Sequence, residues 1–342
     1  MNRKFLFAGA GFATVVAIAF SSTQLRPAPV APAASATATT VSANQPAETN
    51  SLSAFDGNRA FSLLRAQCDF GPRPLGTPAH EKTAAFLLEQ LEPLVDEVKT
   101  QKWKQYIKYG PGAGQTFAMT NILALVRGSD DEGKKPEEIR PDLMLSAHWD
   151  TRPVADQDLI SANRKQPILG ANDGASGVAV LLEVTRVLKE KRPRQSIVIA
   201  LWDGEDLGEF FYGAKYFART VNEPENKRWR PARGILIDMI GDADLRVTSE
   251  KNSMAKAPEL WADVHASAAA LGLSRHFHGP AMEVLDDHIP LNEAGIPTID
   301  LIDFQYPHWH TVNDTPDKCS PQSLKVIGDV LLHFIGRGAQ KA

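Results

Sequence analysis

The sequence predicts an α/β protein, a single-domain α/β/α sandwich around a mostly parallel, mixed central sheet. Two observations carry that expectation. Five short apolar runs, residues 121–126, 143–147, 197–202, 235–240 and 299–302, show little polar alternation. Helical stretches lie between several of them. Continuous apolar runs suit strands buried on both faces, and strands that alternate with helices close a sheet beneath helical layers.

Taken in order, the chain starts Met-Asn-Arg-Lys and continues with an apolar run over residues 5–20. That run falls short of the roughly 20 residues a comfortable spanning helix needs. With Ala17 and Ala19 as an A-x-A-like cleavage point, residues 1–20 are expected to be a signal peptide or N-terminal anchor. Residues 21–50 are rich in Ala, Pro, Ser and Thr, have almost nothing large and apolar to bury, and are expected to form a disordered tether. Both features place the protein outside the cytoplasm, periplasmic or extracellular, free or tethered to a membrane.

From residue 51 to 342 the text is periodic and without internal repeats. Thr77-Pro78 reads as N-cap and first residue of a helix whose apolar face includes Ala84, Leu87, Leu88 and Leu91. Further helices are expected over residues 177–189 and 258–271, and a last one from Ser320, an N-cap before Pro321, to about residue 335.

Composition excludes whole classes of function. Lys plus Arg number 37 against 41 Asp plus Glu, a formal net charge of -4, so nothing in the charge balance calls for nucleic acid. The two cysteines, Cys68 and Cys319, form no CxxC pair, so a metal site must rest on His and carboxylate. Export would let these thiols pair, but their distance in sequence does not bring them together.

In open α/β sheets ligands bind beyond the carboxyl ends of the strands, so the polar residues that end the apolar runs come first. The second run ends in His148-Trp149-Asp150 and the third in Asp203-Gly204-Glu205-Asp206. The fourth contains Asp238, and the fifth leads through Asp303 to Trp309-His310-Thr311. Asp173 joins them from the turn Gly170-Ala171-Asn172-Asp173-Gly174, directly before a helix. Carboxylate and imidazole together suit zinc, and a bound dication relieves the repulsion among so many like charges. The adjacent Glu205 and Asp206 can divide the work, one as ligand and one as general base.

In order, His148-x-Asp150, Asp173, Glu205-Asp206, Asp238, Asp286-Asp287-His288 and Trp309-His310-Thr311 resemble the M28 family of zinc aminopeptidases and its glutaminyl-peptide cyclotransferase branch. The likeness runs from about Phe70 to the C-terminus. Phe70-Gly71-Pro72-Arg73, Asp286 and Trp309 look more like the cyclases, since the aminopeptidases usually place Ser or Thr, and Tyr, at the last two.

The resemblance implies one zinc ion held by Asp173, Asp206 and His310, with Glu205 as proton shuttle and Asp238 and Asp286 as the catalytic carboxylate relay. Trp309 and Tyr306 would bind substrate. His148 with Asp238 would supply a second metal site in a two-metal aminopeptidase. Two departures stand out: Asp206 replaces a more usual Glu, and the loop over residues 207–212 is short and lacks Trp, leaving Phe210 or Phe211 as apolar wall.

The expected function is therefore a monomeric zinc-dependent glutaminyl-peptide cyclotransferase that acts on peptide or protein N-termini bearing Gln, and more slowly Glu, and releases ammonia. The alternative within the family is an aminopeptidase. Outside enzymes, the alternative is a binding ectodomain, against which the intact set of ligand residues and Glu205 argues.

Overall fold

A computed structural model describes residues 55–338, which belong to one compact unit, residues 50–342. The expected signal or anchor and the expected tether lie outside the described residues.

The central sheet has six strands: β1 (Glu97–Tyr106), β2 (Thr116–Val126), β3 (Leu143–His148), β4 (Ile197–Trp202), β5 (Arg233–Asp238) and, after a short parallel pair β6 (Ser249–Glu250) and β7 (Ala281–Met282), β8 (Thr298–Ile302). Their spatial order is β1-β2-β4-β3-β5-β8. The first three neighbours pair antiparallel and the remaining ones parallel, so the sheet is mixed. Four of the five expected apolar runs lie wholly in a strand, and the run at residues 235–240 overruns β5 by Met239 and Ile240. Every residue of β3 and β4 is buried, as the absence of alternation implied.

Alternation survives as a division of labour between faces. Leu143, Leu145 and Ala147 of β3 and Ile197, Ile199 and Leu201 of β4 enter one core. That core also takes in residues of α1 (Gly57–Cys68), α2 (Pro78–Leu91), α3 (Ala175–Glu190) and, beyond α4 (Tyr212–Thr220) and α5 (Lys251–Lys256), of α6 (Pro258–Ala270). Met144, Val198, Ala200 and Trp202 enter the opposite core with Ala214 and Phe217 of α4 and Leu291 of α7 (His288–Glu293). A final helix, α8 (Pro321–Gly338), returns to the first layer. Each fully buried Leu or Ile contributes roughly 1.5–3 kcal/mol, and the two cores together hold the α/β/α sandwich.

Caps follow the expected chemistry. Thr77 accepts the backbone N–H of His80, and Ser320 that of Ser323. One strand of the central sheet was not expected: β1 reads Glu-Val-Lys-Thr-Gln-Lys-Trp-Lys-Gln-Tyr, with a mostly half-exposed burial pattern. As the edge strand it carries Lys99, Lys102 and Lys104, charges that discourage pairing with another chain. No helix among the described residues is long and apolar enough to cross a membrane.

Candidate metal centre and active site

The carboxyl ends of β3, β4, β5 and β8 converge, and the side chains there divide into an inner cluster and a supporting ring. Three groups have ligand atoms within 4.8 Å of one another: Asp173, Asp206 and His310; His148, Asp173 and Asp238; and His148, Glu205 and Asp206. Asp173 belongs to the first two and so stands between them. His148 Nε2 lies 3.0 Å from Asp173 Oδ1 and 3.2 Å from Asp238 Oδ1. His310 Nε2 lies 3.1 Å from Asp206 Oδ1 and 3.5 Å from Asp173 Oδ2.

The local backbone at these residues is unusual. His310 and Met239, the residue after Asp238, have φ of 53° and 45°, as do Phe210 and Phe211 at 61° each. Left-handed residues other than glycine cluster at functional sites because the surroundings must hold them there.

The electrostatics describe a site that retains protons in the absence of a dication. Burial, then the charges of Asp206 and Asp238, push Asp173 up to about 7. Burial and then Asp206 and Asp286 hold Glu205 well above the usual carboxylate range. Asp286 is raised in the same way, by burial first and then by Asp238 and Asp287. Burial disfavours the cation of His310, but Asp206, Asp156 and Asp173 outweigh it and push the ring up to about 9.

The donor set fits a metal ion. Asp206 Oδ2 is buried with no hydrogen-bond partner among the described residues, although its carboxyl is held below the usual range by His310 against the effect of burial. A dication beside Asp173, Asp206 and His310 would satisfy that oxygen and remove the mutual repulsion.

The supporting ring explains why the inner residues stand where they do. Asp150 Oδ1 and Oδ2 accept the backbone N–H groups of Glu205 (3.0 Å) and Asp206 (3.3 Å). Asp314 accepts those of Asn172 (2.9 Å) and Asp173 (3.1 Å). Arg73 is fully buried and donates to three carbonyls: Nε to Trp149 (2.9 Å), Nη1 to Leu169 (2.8 Å) and Nη2 to Gly170 (2.8 Å). It thereby ties the loop after β3 to the turn that presents Asp173.

The structure corrects the expected places of several residues. Tyr306 is only 3% exposed and its hydroxyl donates to Asp314 at 2.8 Å. Through Asp314, which accepts the N–H groups of Asn172 and Asp173, it braces the Asp173 turn. Asp203, three residues before Asp206, faces away, paired with His80 at 2.8 Å and accepting from the Thr120 N–H. Asp303 accepts the N–H groups of Arg246 and Gln305 and ends its strand as a turn cap.

Trp309 is half-buried and stacks on the His310 ring at 4.0 Å. Phe210 and Phe211, both half-buried, have ring centroids 5.7 Å apart, and Phe210 packs against the Arg152 guanidinium. Asp238 and Asp286 are both buried near the cluster, and Asp286 Oδ2 has no hydrogen-bond partner among the described residues. Cys68 and Cys319 are both free and lie buried in the same core. Asp314 was not named in the sequence reading, and Asp150 and Arg73 stood there only as members of the motifs His148-x-Asp150 and Phe70-Gly71-Pro72-Arg73, with no role assigned.

An α/β/α sandwich with His, Asp and Glu gathered at its strand ends is the frame of a metal-dependent hydrolase or transferase. The model of peptidase family M28 matches residues 124–335, and the chain belongs to that family. Its sequence is 25% identical over 272 residues to the glutaminyl-peptide cyclotransferase of Drosophila melanogaster, across 71% of this chain and 70% of that protein. The crystal structure of Fimbriiglobus ruber glutaminyl cyclase superposes with a TM-score of 0.76 at 31% identity, covering 86% of this chain and 99% of that one. Aminopeptidase YwaD of Bacillus subtilis is 27% identical over 258 residues, 72% of this chain and 50% of that protein.

Proposed function

We propose that the protein is a zinc-dependent glutaminyl-peptide cyclotransferase that converts N-terminal glutamine to pyroglutamate. The observation that carries this reading is buried Glu205, grouped with His148 and Asp206 and subject to the charge of buried Asp286. Both carboxyls are buried; burial and the charges of Asp206 and Asp286 raise Glu205, and burial and the charges of Asp238 and Asp287 raise Asp286. Near-complete coverage of a glutaminyl cyclase structure supports it.

In cyclisation the α-amine of the substrate attacks its own side-chain amide carbon. A carbon–nitrogen bond forms in the ring, the bond to the amide nitrogen breaks, and ammonia leaves. A zinc ion held by Asp173, Asp206 and His310 would supply Lewis acidity toward the amide carbonyl. Glu205 takes a proton from the attacking amine and returns it to the leaving nitrogen, ending in its starting state. Asp286, with Asp238 beyond it, keeps that proton from being lost to solvent because all three are buried. Trp309 and Phe210 exclude water around the glutamine side chain. No water nucleophile enters the balance.

The same proposal makes peptide or protein N-termini the substrates, a monomer the active form, and the space outside the cytoplasm its location. Those last points rest on sequence alone.

The group His148, Asp173 and Asp238 favours a second reading, an aminopeptidase with two metals. A chain lacking residues 1–50, incubated with a Gln-initiated peptide, separates the two by mass spectrometry and ammonia assay. Loss of one ammonia from an otherwise intact peptide supports cyclisation. Free glutamine and a shortened peptide overturn it.

A further inference from the structure

Arg152 and Asp156, in the loop after β3, belong to none of the ligand groups, yet they touch two of the candidate ligands and the apolar wall. Arg152 is 5% exposed. Its Nε and Nη2 donate to Asp156 Oδ1 (2.9 Å) and Oδ2 (2.8 Å), a bidentate pair. Its Nη1 donates to the backbone oxygen of Asp206 at 3.4 Å and stands 3.7 Å from Asp206 Oδ1. Its guanidinium carbon lies 4.9 Å from the centre of the Phe210 ring.

On the other side, Asp156 Oδ1 lies 3.2 Å from His310 Nδ1. Among the described residues Nδ1 has no aligned hydrogen-bond partner, so this carboxylate is the acceptor poised to receive a hydrogen bond from Nδ1–H. The next residue, Gln157, donates its N–H to the carbonyl of His310 at 3.2 Å. The loop therefore grips His310 by both ring and backbone, at a residue whose left-handed φ of 53° needs such support.

We propose that the Arg152–Asp156 pair is a positioning device for the metal centre, an inference that rests on Asp173, Asp206 and His310 being the ligands. Asp156 holds the proton of His310 on Nδ1 and leaves the Nε2 lone pair facing Asp173 and Asp206. A metal-binding imidazole with its other nitrogen on a carboxylate is fixed in tautomer and orientation and is the more basic ligand. Arg152 couples that orientation to Asp206 and Phe210, so that two ligands and the substrate wall move as one body. An ordinary exposed ion pair would contribute little and touch no ligand.

The test compares zinc affinity, by competition with a chromophoric chelator at fixed pH, in the parent protein and in Asp156→Asn, Asp156→Ala, Arg152→Lys and Asp206→Asn. Both Asp156 variants are expected to bind zinc about 10–100-fold more weakly. Arg152→Lys, which cannot form the bidentate pair or the ring contact, is expected to weaken zinc less and to raise KM for Gln-initiated peptides. If Asp206→Asn lowers zinc affinity while both Asp156 variants keep it within about twofold of the parent, the positioning role is overturned and the ligand assignment stands. If Asp206→Asn also binds zinc as the parent does, the ligand assignment itself falls. A lower thermal midpoint in the Asp156 variants with unchanged zinc affinity reduces the pair to a structural contact and likewise overturns the proposal.

Discussion

The carboxylate of Asp150 accepts the backbone N–H of Glu205 at 3.0 Å, and its second oxygen accepts that of Asp206 at 3.3 Å. One buried side chain at the end of β3 thus fixes the turn after β4 from which both the candidate base and a candidate ligand project. Replacing Asp150 by Asn turns one of two acceptors into a donor facing a donor. A displacement of about 1 Å at a reacting group can cost on the order of 10²-fold in rate. Asp150→Asn is expected to lose turnover on that scale while remaining folded, as steady-state ammonia release beside a circular dichroism spectrum will show.

Glu205 itself carries the proton in the proposed reaction. Glu205→Gln keeps the shape but removes the base, so zinc content should match the parent while turnover falls by about 10²- to 10⁴-fold. Metal analysis and the ammonia assay on the same preparation decide this. Full activity in the variant would remove Glu205 from the mechanism.

Arg73 is a buried cation whose guanidinium donates to backbone carbonyls on two loops. Arg73→Met would leave the carbonyls of Trp149, Leu169 and Gly170 without these donors, a loss of about 3 kcal/mol. Arg73→Lys should recover only part of that, since one ammonium cannot reproduce the planar fork. Urea unfolding midpoints of the two variants test it. A midpoint for Arg73→Met equal to the parent's would show that the loops hold themselves.

Glu250 predicts a pH dependence away from the metal centre. It is fully buried, caps α5 through the N–H groups of Asn252 and Ser253, and accepts from the Ser253 hydroxyl and the Val284 N–H. Burial alone would raise its pKa, but His288, the Ser253 hydroxyl and those N–H groups hold it down to about 2. A folded-state pKa below the unfolded value means that the charged form stabilises the fold. Its contribution, on the order of 3 kcal/mol, is complete above about pH 4.5 and is lost as pH falls toward about 2. Glu250→Gln should therefore be less stable than the parent at neutral pH, with the gap closing through that acid window. A gap independent of pH would assign the loss to packing instead.

Much of this architecture was legible in the sequence because burial on both sheet faces leaves an unmistakable mark. The runs at residues 143–147 and 197–202 coincide with β3 and β4 almost residue for residue. β1 was not legible, since an edge strand faces water and its lysines resemble a loop. At the site, Asp206 and His310 were named from their places after apolar runs and Asp173 from a Gly-rich turn before a helix, and the resemblance to the family grouped the three as expected ligands. Asp203 and Asp206 looked alike in sequence, and the fold sends one to His80 and the other to His310.

What the sequence determined by itself was periodicity and punctuation: which segments must be buried, where they end, and which charged residues stand at those ends. These are local properties, set by side chains a few positions apart. The tertiary structure decided which of those charges face one another. His310 reaches Asp206 across 104 residues and Asp314 reaches Asp173 across 141, distances over which local pattern carries no information. The parallel pairing of β3 with β4 and β5, and of β5 with β8, brings those strand ends to one edge. There, Asp150 holds the backbone N–H groups of Glu205 and Asp206 and so sets the turn from which both project.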